Sequence, residues 1–180
     1  ISSGLVGSEM CIRDSIGAGV IGGGWTARFL LNGIDVKIHD PNPEAGRRLR
    51  EMIANAERAW DRLTSAPLPK KGSLSFCGTI QEAVDGSVFI EECIPENLEL
   101  KRKILNEIET GAATDAPIGS STSGIRPSEM QSEMKHPERL LVTHPFNPVY
   151  LLPLVELCGG HLTDPEVIGQ TSDFLESLGM

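Results

Sequence analysis

Short apolar runs alternate with longer amphipathic segments along most of this chain. Four of the runs have the length and composition of buried strands, namely residues 34–40, 74–77, 87–90 and 140–143. Between them, apolar residues recur at helical spacing, which predicts helices over residues 21–32, 44–63 and 80–84. A chain that alternates strands and helices in this way builds a parallel sheet with right-handed crossovers. The pattern therefore predicts an α/β domain.

The C-terminal half continues this alternation. A further helix begins near residue 97, and its buried stripe is predicted to consist of Leu100, Ile104, Leu105 and Ile108. Residues 116–124 follow as a short strand that runs into a hydroxyl-rich turn. Thr163 and Glu166 have the spacing of a capping box, which predicts the start of a last helix.

A glycine-rich turn opens the first predicted helix, where Gly17, Gly19 and Gly22 have the spacing G-x-G-x-x-G. In such a turn the first glycine permits a tight bend and the second lets a pyrophosphate approach the backbone. The third allows the helix to pack closely on the strand. Amides at the start of the helix, including those of Val20 and Ile21, would bind the phosphates. The turn therefore predicts a dinucleotide site.

Asp40 ends the next predicted strand, 23 positions after Gly17. A carboxylate at this place accepts hydrogen bonds from the ribose hydroxyls of adenosine, and it would repel the 2′-phosphate of NADP. A simple turn residue before Pro41 is the alternative interpretation. Together with the glycines, Asp40 predicts NAD as the cofactor.

His144 ends the apolar run 140–143, and Glu156 follows twelve residues later. Prolines on either side of Phe146 and Asn147 predict a turn, after which the chain returns as a second extended segment. Such a return would bring Glu156 beside His144. A carboxylate next to histidine holds its tautomer and stabilises the imidazolium. We therefore predict an acid/base pair at the carboxyl edge of the sheet, while a purely structural histidine remains the alternative.

Composition limits the possible partners. The 180 residues, of which 39% are hydrophobic, suffice for one domain with a sizeable core. A net charge of −9 argues against nucleic acid and anionic membranes, because both require a clustered basic surface. The cysteines lack Cys-x-x-Cys spacing, so neither a metal site nor a disulfide framework is predicted. We expect a cytoplasmic protein that binds a small molecule and does not enter a membrane.

The first fifteen residues have neither helical nor strand periodicity. Residues 5–14 match one reading frame of the transposase adapter used in sequencing libraries, so we expect residues 1–15 to be a non-native, adapter-derived leader. A disordered natural N-terminus is the alternative. The strand before the glycine turn should be a continuous apolar run, and the leader would have replaced all of it except Ile16. We therefore expect this polypeptide to fold poorly.

Residues 16–180 resemble the NAD-binding domain of the L-3-hydroxyacyl-CoA dehydrogenases. The resemblance rests on four ordered motifs, which are the glycine turn with Asp40, residues 95–97 with Lys101, residues 121–123, and residues 144–156. It implies a Rossmann-type doubly wound, mostly parallel sheet with flanking helices. It also implies a C-terminal helical domain that is absent from this chain, so residues 16–180 would be a truncated domain, inactive in isolation. The full-length protein would be a homodimer.

The resemblance further implies residue roles. Ser123 would hydrogen-bond the substrate hydroxyl, and His144 would remove its proton as hydride passes to the nicotinamide. Glu156 would orient His144. The residues expected to contribute to the NAD pocket are Glu96, Lys101, Ser121 and Asn147.

The implied reaction is NAD-dependent oxidation of a 3-hydroxy compound. L-carnitine is preferred, because residues 66–69 and 148–153 resemble the branch of the family that oxidises it. Tyr150 would either face a quaternary ammonium group through its ring or pack beneath the turn. Basic residues between positions 42 and 75 favour an acyl-CoA phosphate instead, although they also suit a solvated helix face. A non-catalytic role is a further alternative, since lens λ-crystallins resemble the same family.

Overall fold

The computed structural model describes residues 12–63, 65, 67 and 69–180. The strands of this part of the chain are β1 (Ile12–Ile16), β2 (Asp35–His39), β3 (Leu74–Phe76), β4 (Ser87–Glu92), β5 (Ile118–Ser120), β6 (Leu140–Pro145) and β7 (Val155–Gly159). They form one sheet in the order β3-β2-β1-β4-β5-β6-β7. All neighbouring strands are parallel except β6 and β7, which are antiparallel.

Helices connect the strands. The α-helices in the described ranges are α1 (Val20–Leu31), α2 (Ala45–Leu63), α3 (Ile80–Val84), α4 (Leu98–Gly111), α5 (Pro127–Gln131) and α6 (Pro165–Ser177). A short 3-10 helix, Pro137–Arg139, precedes β6. One hydrophobic cluster joins α1, α2 and α6 to the sheet, and a second joins α3, α4 and α5 to it. The predicted doubly wound, mostly parallel sheet with flanking helices is therefore confirmed.

The strand order reverses between β1 and β4. From β1 the chain proceeds outward to β2 and β3, and it then returns to the other side of β1 to build β4, β5 and β6. Ligands of open α/β sheets bind beyond the carboxyl ends of the strands at such a reversal. The glycine turn follows β1 at this place.

β1 lies at the centre of the sheet, where Ile16 pairs with His39 on one side and with Glu92 on the other. The side chains of Ser15 and Ile16 are buried. Residues 1–11, most of the expected leader, lie outside the described residues. Both faces of a central parallel strand are covered, so polar leader residues in β1 would destabilise the sheet. Poor folding caused by residues 1–15 stays a prediction.

Helix α4 differs from its predicted orientation. Its buried residues are Lys101, Leu105 and Ile108, whereas Leu100 is 38% exposed, so the prediction that Leu100 is buried was wrong. The ammonium group of Lys101 binds the buried carboxylate of Glu92 at 2.7 Å. This ion pair turns a charged position of the helix toward the sheet, which apolar periodicity cannot show.

The last helix begins one residue later than the capping-box prediction. Asp164 is the N-cap residue of α6, and its side chain accepts a hydrogen bond from the amide of Glu166. The hydroxyl of Thr163 instead accepts from the amide of Gly160 and donates to the carbonyl of Leu140. Thr163 therefore fastens the turn after β7 to the start of β6.

Arg28 connects three parts of the fold from within α1. Its guanidinium group donates hydrogen bonds to the carbonyl oxygens of Tyr150, Leu178 and Gly179, at 3.5, 2.9 and 2.6 Å. It also lies 5.3 Å from the centre of the Trp60 ring on α2. Arg28 is 5% exposed, so these contacts replace the hydration of its two terminal nitrogens, whereas its Nε has no hydrogen-bond partner among the described residues.

We expect the substitution Arg28→Met to lower the free energy of unfolding by about 2 kcal/mol, because it removes a buried donor that three carbonyl oxygens share. Urea denaturation measures the change. Arg62→Met, at an exposed position of α2, is the control and should change stability by less than about 0.5 kcal/mol. Equal effects of the two substitutions would show that Arg28 makes no special contribution.

Candidate active site

The glycine turn is packed too tightly for side chains at two of its three glycines. Gly17 has a φ of 101°, and a Cβ there would lie 2.8 Å from the carbonyl oxygen of Cys93. A Cβ on Gly22 would overlap the carbonyl oxygen of Gly17. These glycines bring α1 directly against the turn and against the residue after β4.

The surroundings of Gly19, in contrast, are open. A Cβ built on it meets no atom within 4 Å, so the space beside it is open. Gly19 is also the N-cap residue of α1, and no side chain caps the first amides of this helix, which include those of Val20 and Ile21. Open space, free amide donors and the positive end of a helix dipole fit the pyrophosphate of a dinucleotide.

Asp40 braces this turn from the end of β2. Its Oδ2 accepts a hydrogen bond from the amide of Ala18 at 2.7 Å, and its Oδ1 accepts one from the amide of Asn42 at 2.7 Å. The carboxylate therefore lies beside the glycine turn at the carboxyl edge of the sheet. Its contact with a ribose stays a prediction.

His144 and Glu156 face each other across β6 and β7. The two residues are register partners, and Nδ1 of His144 lies 2.9 Å from Oε2 of Glu156. Because a carboxylate accepts hydrogen bonds, Nδ1 carries the proton in this contact and Nε2 is the basic nitrogen of the neutral ring. The ring of Phe146 lies 5.6 Å from the imidazole, and the side chain of His144 is 30% exposed.

Glu96 orders the hydroxyl-rich turn after β5. Its Oε1 accepts hydrogen bonds from the hydroxyl of Thr122 and from the amides of Ser123 and Gly124. Partial burial acts to raise the pKa of Glu96, but these hydrogen bonds and Lys101 outweigh burial and lower it. Glu96 thus holds the backbone of Ser123, whose side chain is exposed.

Lys101 is enclosed by protein groups. Its Nζ binds both carboxylate oxygens of Glu92, at 2.7 and 2.8 Å, and lies 4.0 Å from Glu96. Glu92 also accepts hydrogen bonds from the hydroxyl of Ser120 and the amide of Ile94. Lys101 is 1% exposed, so it has a structural partner here, and its predicted cofactor contact stays a prediction.

Ser121 lies in a hydrogen-bonded cluster with a residue that the sequence analysis missed. Its hydroxyl accepts from Nε1 of Trp25 at 3.0 Å and lies 2.6 Å from Oε1 of Glu91. Glu91 is fully buried and is also bound by the hydroxyl of Thr143 at 2.8 Å. Burial raises the pKa of Glu91 to about 8, against the hydrogen bonds from Ser121 and Thr143. A carboxylic residue near the end of an apolar strand was the available signal.

Asn147 and Tyr150 line a small cavity of about 330 Å³. Val20 at the start of α1 and Arg48 on α2 also line this cavity, so it adjoins the phosphate-binding turn. Tyr150 packs in part against the hydrophobic core as well, which leaves both interpretations of its ring possible. Of the segment 66–69, Ala66 and Leu68 lie outside the described residues.

A second cavity, of about 650 Å³, lies at the other end of the strands. Its walls include Ser87, Pro117 and Arg139, at the starts of β4, β5 and β6. It is therefore remote from the glycine turn and from His144. Across the described ranges, no cluster of three or more His, Cys, Asp or Glu residues could hold a metal ion. No helix in the same ranges has the length and apolarity to cross a membrane.

The profile of the family described as "3-hydroxyacyl-CoA dehydrogenase, NAD binding domain" matches residues 15–180. The chain is 59% identical over 165 residues to L-carnitine dehydrogenase/betainyl-CoA thioesterase of Rhizobium meliloti (strain 1021). It is 48% identical over 173 residues to L-carnitine dehydrogenase of Pseudomonas putida. These alignments cover 92% and 96% of this chain but 33% and 54% of the two relatives. The chain thus spans about half their length or less.

Two solved structures illustrate the fold. 5-Formyl-3-hydroxy-2-methylpyridine 4-carboxylic acid 5-dehydrogenase, described as an NAD+ dependent dismutase, matches with a TM-score of 0.88 and 31% identity, over 96% of this chain and 56% of that one. 3-Hydroxybutyryl-CoA dehydrogenase from Escherichia coli K12 matches with a TM-score of 0.84 and 24% identity. The match covers 96% of this chain and 37% of that one. At that lower identity the similarity shows the fold alone.

Fold and glycine turn define a Rossmann-type dinucleotide-binding domain. The chain belongs to the 3-hydroxyacyl-CoA dehydrogenase family, as its NAD-binding domain. NAD is accordingly its cofactor, as the sequence predicted.

The two glycines of the turn should respond differently to the same substitution. Gly22→Ala should prevent stable folding, because its Cβ would overlap a backbone oxygen that cannot move aside. Gly19→Ala should keep the thermal midpoint, since its Cβ contacts nothing, but should weaken NADH binding by roughly tenfold by filling the phosphate space. Circular dichroism melts and NADH fluorescence titrations measure both effects. Identical behaviour of the variants would contradict this division of roles.

Glu91 should make stability depend on pH. Its folded pKa of about 8 exceeds the usual value of 4.5, so the folded state keeps a proton that the unfolded chain releases. The contribution of Glu91 to stability should therefore be complete below pH 4.5 and should be lost as pH rises towards 8. In Glu91→Gln this loss should be absent, whereas Glu176→Gln, at an exposed position of α6, should behave as the unsubstituted chain. Thermal midpoints at pH 5 and pH 8.5 provide the comparison, and parallel changes in all three proteins would contradict it.

Proposed function

We propose that this chain is the NAD-binding part of an oxidoreductase that oxidises the hydroxyl group of L-carnitine to a ketone. The observation that carries the proposal is the hydrogen bond between His144 and Glu156, which lies at the edge of a family-typical NAD-binding sheet. Relatives named L-carnitine dehydrogenase, at 48% and 59% identity, support the choice of substrate. Because the chain matches only part of each relative, activity and substrate are proposals for the whole protein.

The reaction needs a base and a hydride acceptor. NAD, when bound, supplies the acceptor. Nε2 of His144 would take the proton of the substrate hydroxyl, and Glu156 would stabilise the resulting imidazolium through Nδ1–H. Ser123 would hydrogen-bond the same hydroxyl and fix its direction. In the reverse direction the imidazolium would return its proton to the ketone oxygen.

The remaining predicted site residues would hold the cofactor. Gly17, Gly19 and Gly22 shape the turn, and the amides of Val20 and Ile21 would bind the pyrophosphate. The side chains proposed to complete the NAD pocket are Asp40, Glu96, Lys101, Ser121 and Asn147. The packing of Gly17 and the open space beside Gly19 support the assignment of the glycine turn to phosphate binding.

Two basic residues of the segment 42–75 already have acidic partners. Arg47 is paired with Glu44 and Glu51, and Lys71 is paired with Glu57. Basic groups that already have acidic partners are less available to a CoA phosphate, and they suit a solvated helix face. Tyr150 in the small cavity would offer its ring to the trimethylammonium group, a contact worth about 0.5–2 kcal/mol.

The test is a chimera in which residues 16–180 replace the matching segment of the Pseudomonas putida relative. We expect NADH formation from L-carnitine, and His144→Ala should lower kcat by about 10²–10⁴-fold while NADH still binds. Glu156→Gln should lower kcat less, because the amide can still accept the hydrogen bond from Nδ1–H.

His136→Ala is the matched control, since this histidine pairs with Glu138 outside the site, and it should leave kcat nearly unchanged. L-3-Hydroxybutyryl-CoA in a separate assay distinguishes the acyl-CoA alternative. Turnover of only the CoA ester would overturn the carnitine proposal, and undiminished turnover in His144→Ala would overturn the role of the base. A homodimer and a cytoplasmic location remain predictions.

A further inference from the structure

Glu91 occupies a site that three strands build together. It pairs with Gly119 on β5, and a Cβ on Gly119 would collide with the carboxyl group of Glu91 and the hydroxyl of Thr143. The glycine therefore leaves room for Glu91 on β4 to reach over β5 to Thr143 on β6. Both carboxyl oxygens lie 2.8 Å from the Thr143 hydroxyl. None of the roles described above uses this buried acid.

Ser121 is the link between Glu91 and the cofactor edge. A serine hydroxyl has one proton and two lone pairs. The indole N–H of Trp25 can only donate, so it occupies one lone pair of Ser121. The closest partner of this hydroxyl is Oε1 of Glu91 at 2.6 Å, and the thiol of Cys93 lies farther away at 3.4 Å. Ser121 is itself only partly buried.

The direction of the hydrogen bond between Ser121 and Glu91 depends on the carboxyl proton. An ionised Glu91 can only accept hydrogen bonds, so the hydroxyl of Ser121 donates its hydrogen bond to the carboxylate. Ser121 then has one lone pair left for any other partner. A Glu91 that donates from Oε1 fills the second lone pair of Ser121. The proton of Ser121 is then available to another acceptor.

We propose that Glu91 is a positioning residue of the cofactor site: protonated, it makes Ser121 a hydrogen-bond donor toward the bound dinucleotide, and ionised, it makes Ser121 an acceptor. This proposal rests on the proposed function, because it takes Ser121 to be part of the NAD pocket.

The surroundings of Glu91 favour the protonated form at neutral pH. Burial and the neighbouring Glu92 raise its pKa, whereas Lys101 on α4 lowers it. Burial also raises the pKa of the Cys93 thiol, which is 3.4 Å from Ser121 and thus stays protonated. The groups that face the cluster from α1, from the turn after β5 and from β6 are Trp25, Ser121 and Thr143, which carry no charge. His144 pairs with Glu156 instead.

The test is NADH binding by the chimera that carries residues 16–180, measured by fluorescence titration between pH 6.5 and 9. From pH 7 to 9 the dissociation constant should rise about tenfold, since a group with a pKa of about 8 goes from roughly nine-tenths to one-tenth protonated. Glu91→Gln cannot titrate, so its NADH affinity should not follow pH. Glu176→Gln removes the same charge from the exposed side of α6 and should reproduce the unsubstituted chain.

Two further variants separate a hydroxyl relay from a simple charge effect. In Ser121→Ala the carboxyl still titrates but has no hydroxyl to redirect, so the pH dependence should disappear there as well. Thr143→Val removes a hydrogen bond that lowers the pKa of Glu91, so the midpoint of the pH dependence should move to higher pH. Circular dichroism melts at both ends of the pH range verify that each variant is folded.

The outcomes are distinguishable. NADH binding that is independent of pH in the unsubstituted chain would overturn the role of Glu91 and leave the proposed function intact. A pH dependence that persists in Ser121→Ala would likewise overturn the relay through the hydroxyl. Failure of the folded chain to bind NADH at any pH would overturn the proposed function and this inference together.

Discussion

The close approach of α1 to the turn before it is the contact on which the rest of the structure depends. A Cβ on Gly22 would overlap the carbonyl oxygen of Gly17, and a Cβ on Gly17 would lie 2.8 Å from the carbonyl oxygen of Cys93. From Gly22 onward, α1 is buried. From this position Phe29 packs on Phe89 and Phe174, with ring centres 6.3 and 5.9 Å away. The same approach leaves the first amides of α1 exposed at the carboxyl edge of the sheet. The core packing of α1 and the uncapped amides at its start therefore follow from one steric condition.

Sequence periodicity was sufficient to predict most of the fold. The apolar run 140–143 predicted β6, and the prolines after it predicted the return that places Glu156 2.9 Å from His144. Charged residues in the core could not be predicted in this way. Lys101 is buried because Glu92 lies on an adjacent element, and Glu91 meets Thr143, which is 52 positions away. Partners so distant in sequence leave no mark on local periodicity.

Glu91 and Glu92, the two adjacent acids at the end of β4, are both buried, and each is neutralised in a different way. Glu92 forms an ion pair with Lys101, while hydrogen bonds from Ser120 and Ile94 satisfy its remaining lone pairs. Among the described residues no cation forms an ion pair with Glu91, and its elevated pKa of about 8 means that a proton neutralises it instead. Alternation along a strand sends the two side chains to opposite faces. One face of β4 therefore carries a permanent ion pair, and the other carries a group whose charge can change.

The reversal of direction between β6 and β7 has a consequence for how this site can diversify. His144 and Glu156 are register partners in an antiparallel ladder, so backbone pairing, and not the connecting turn, sets the distance between them. The turn itself, from Phe146 to Leu154, lies outside both strands and carries exposed apolar side chains at Phe146, Leu152 and Leu154. The exposed positions of the turn can therefore change in sequence while the hydrogen bond between His144 and Glu156 stays in place. In evolutionary terms, the geometry of this pair and the exposed surface of the turn are separate modules.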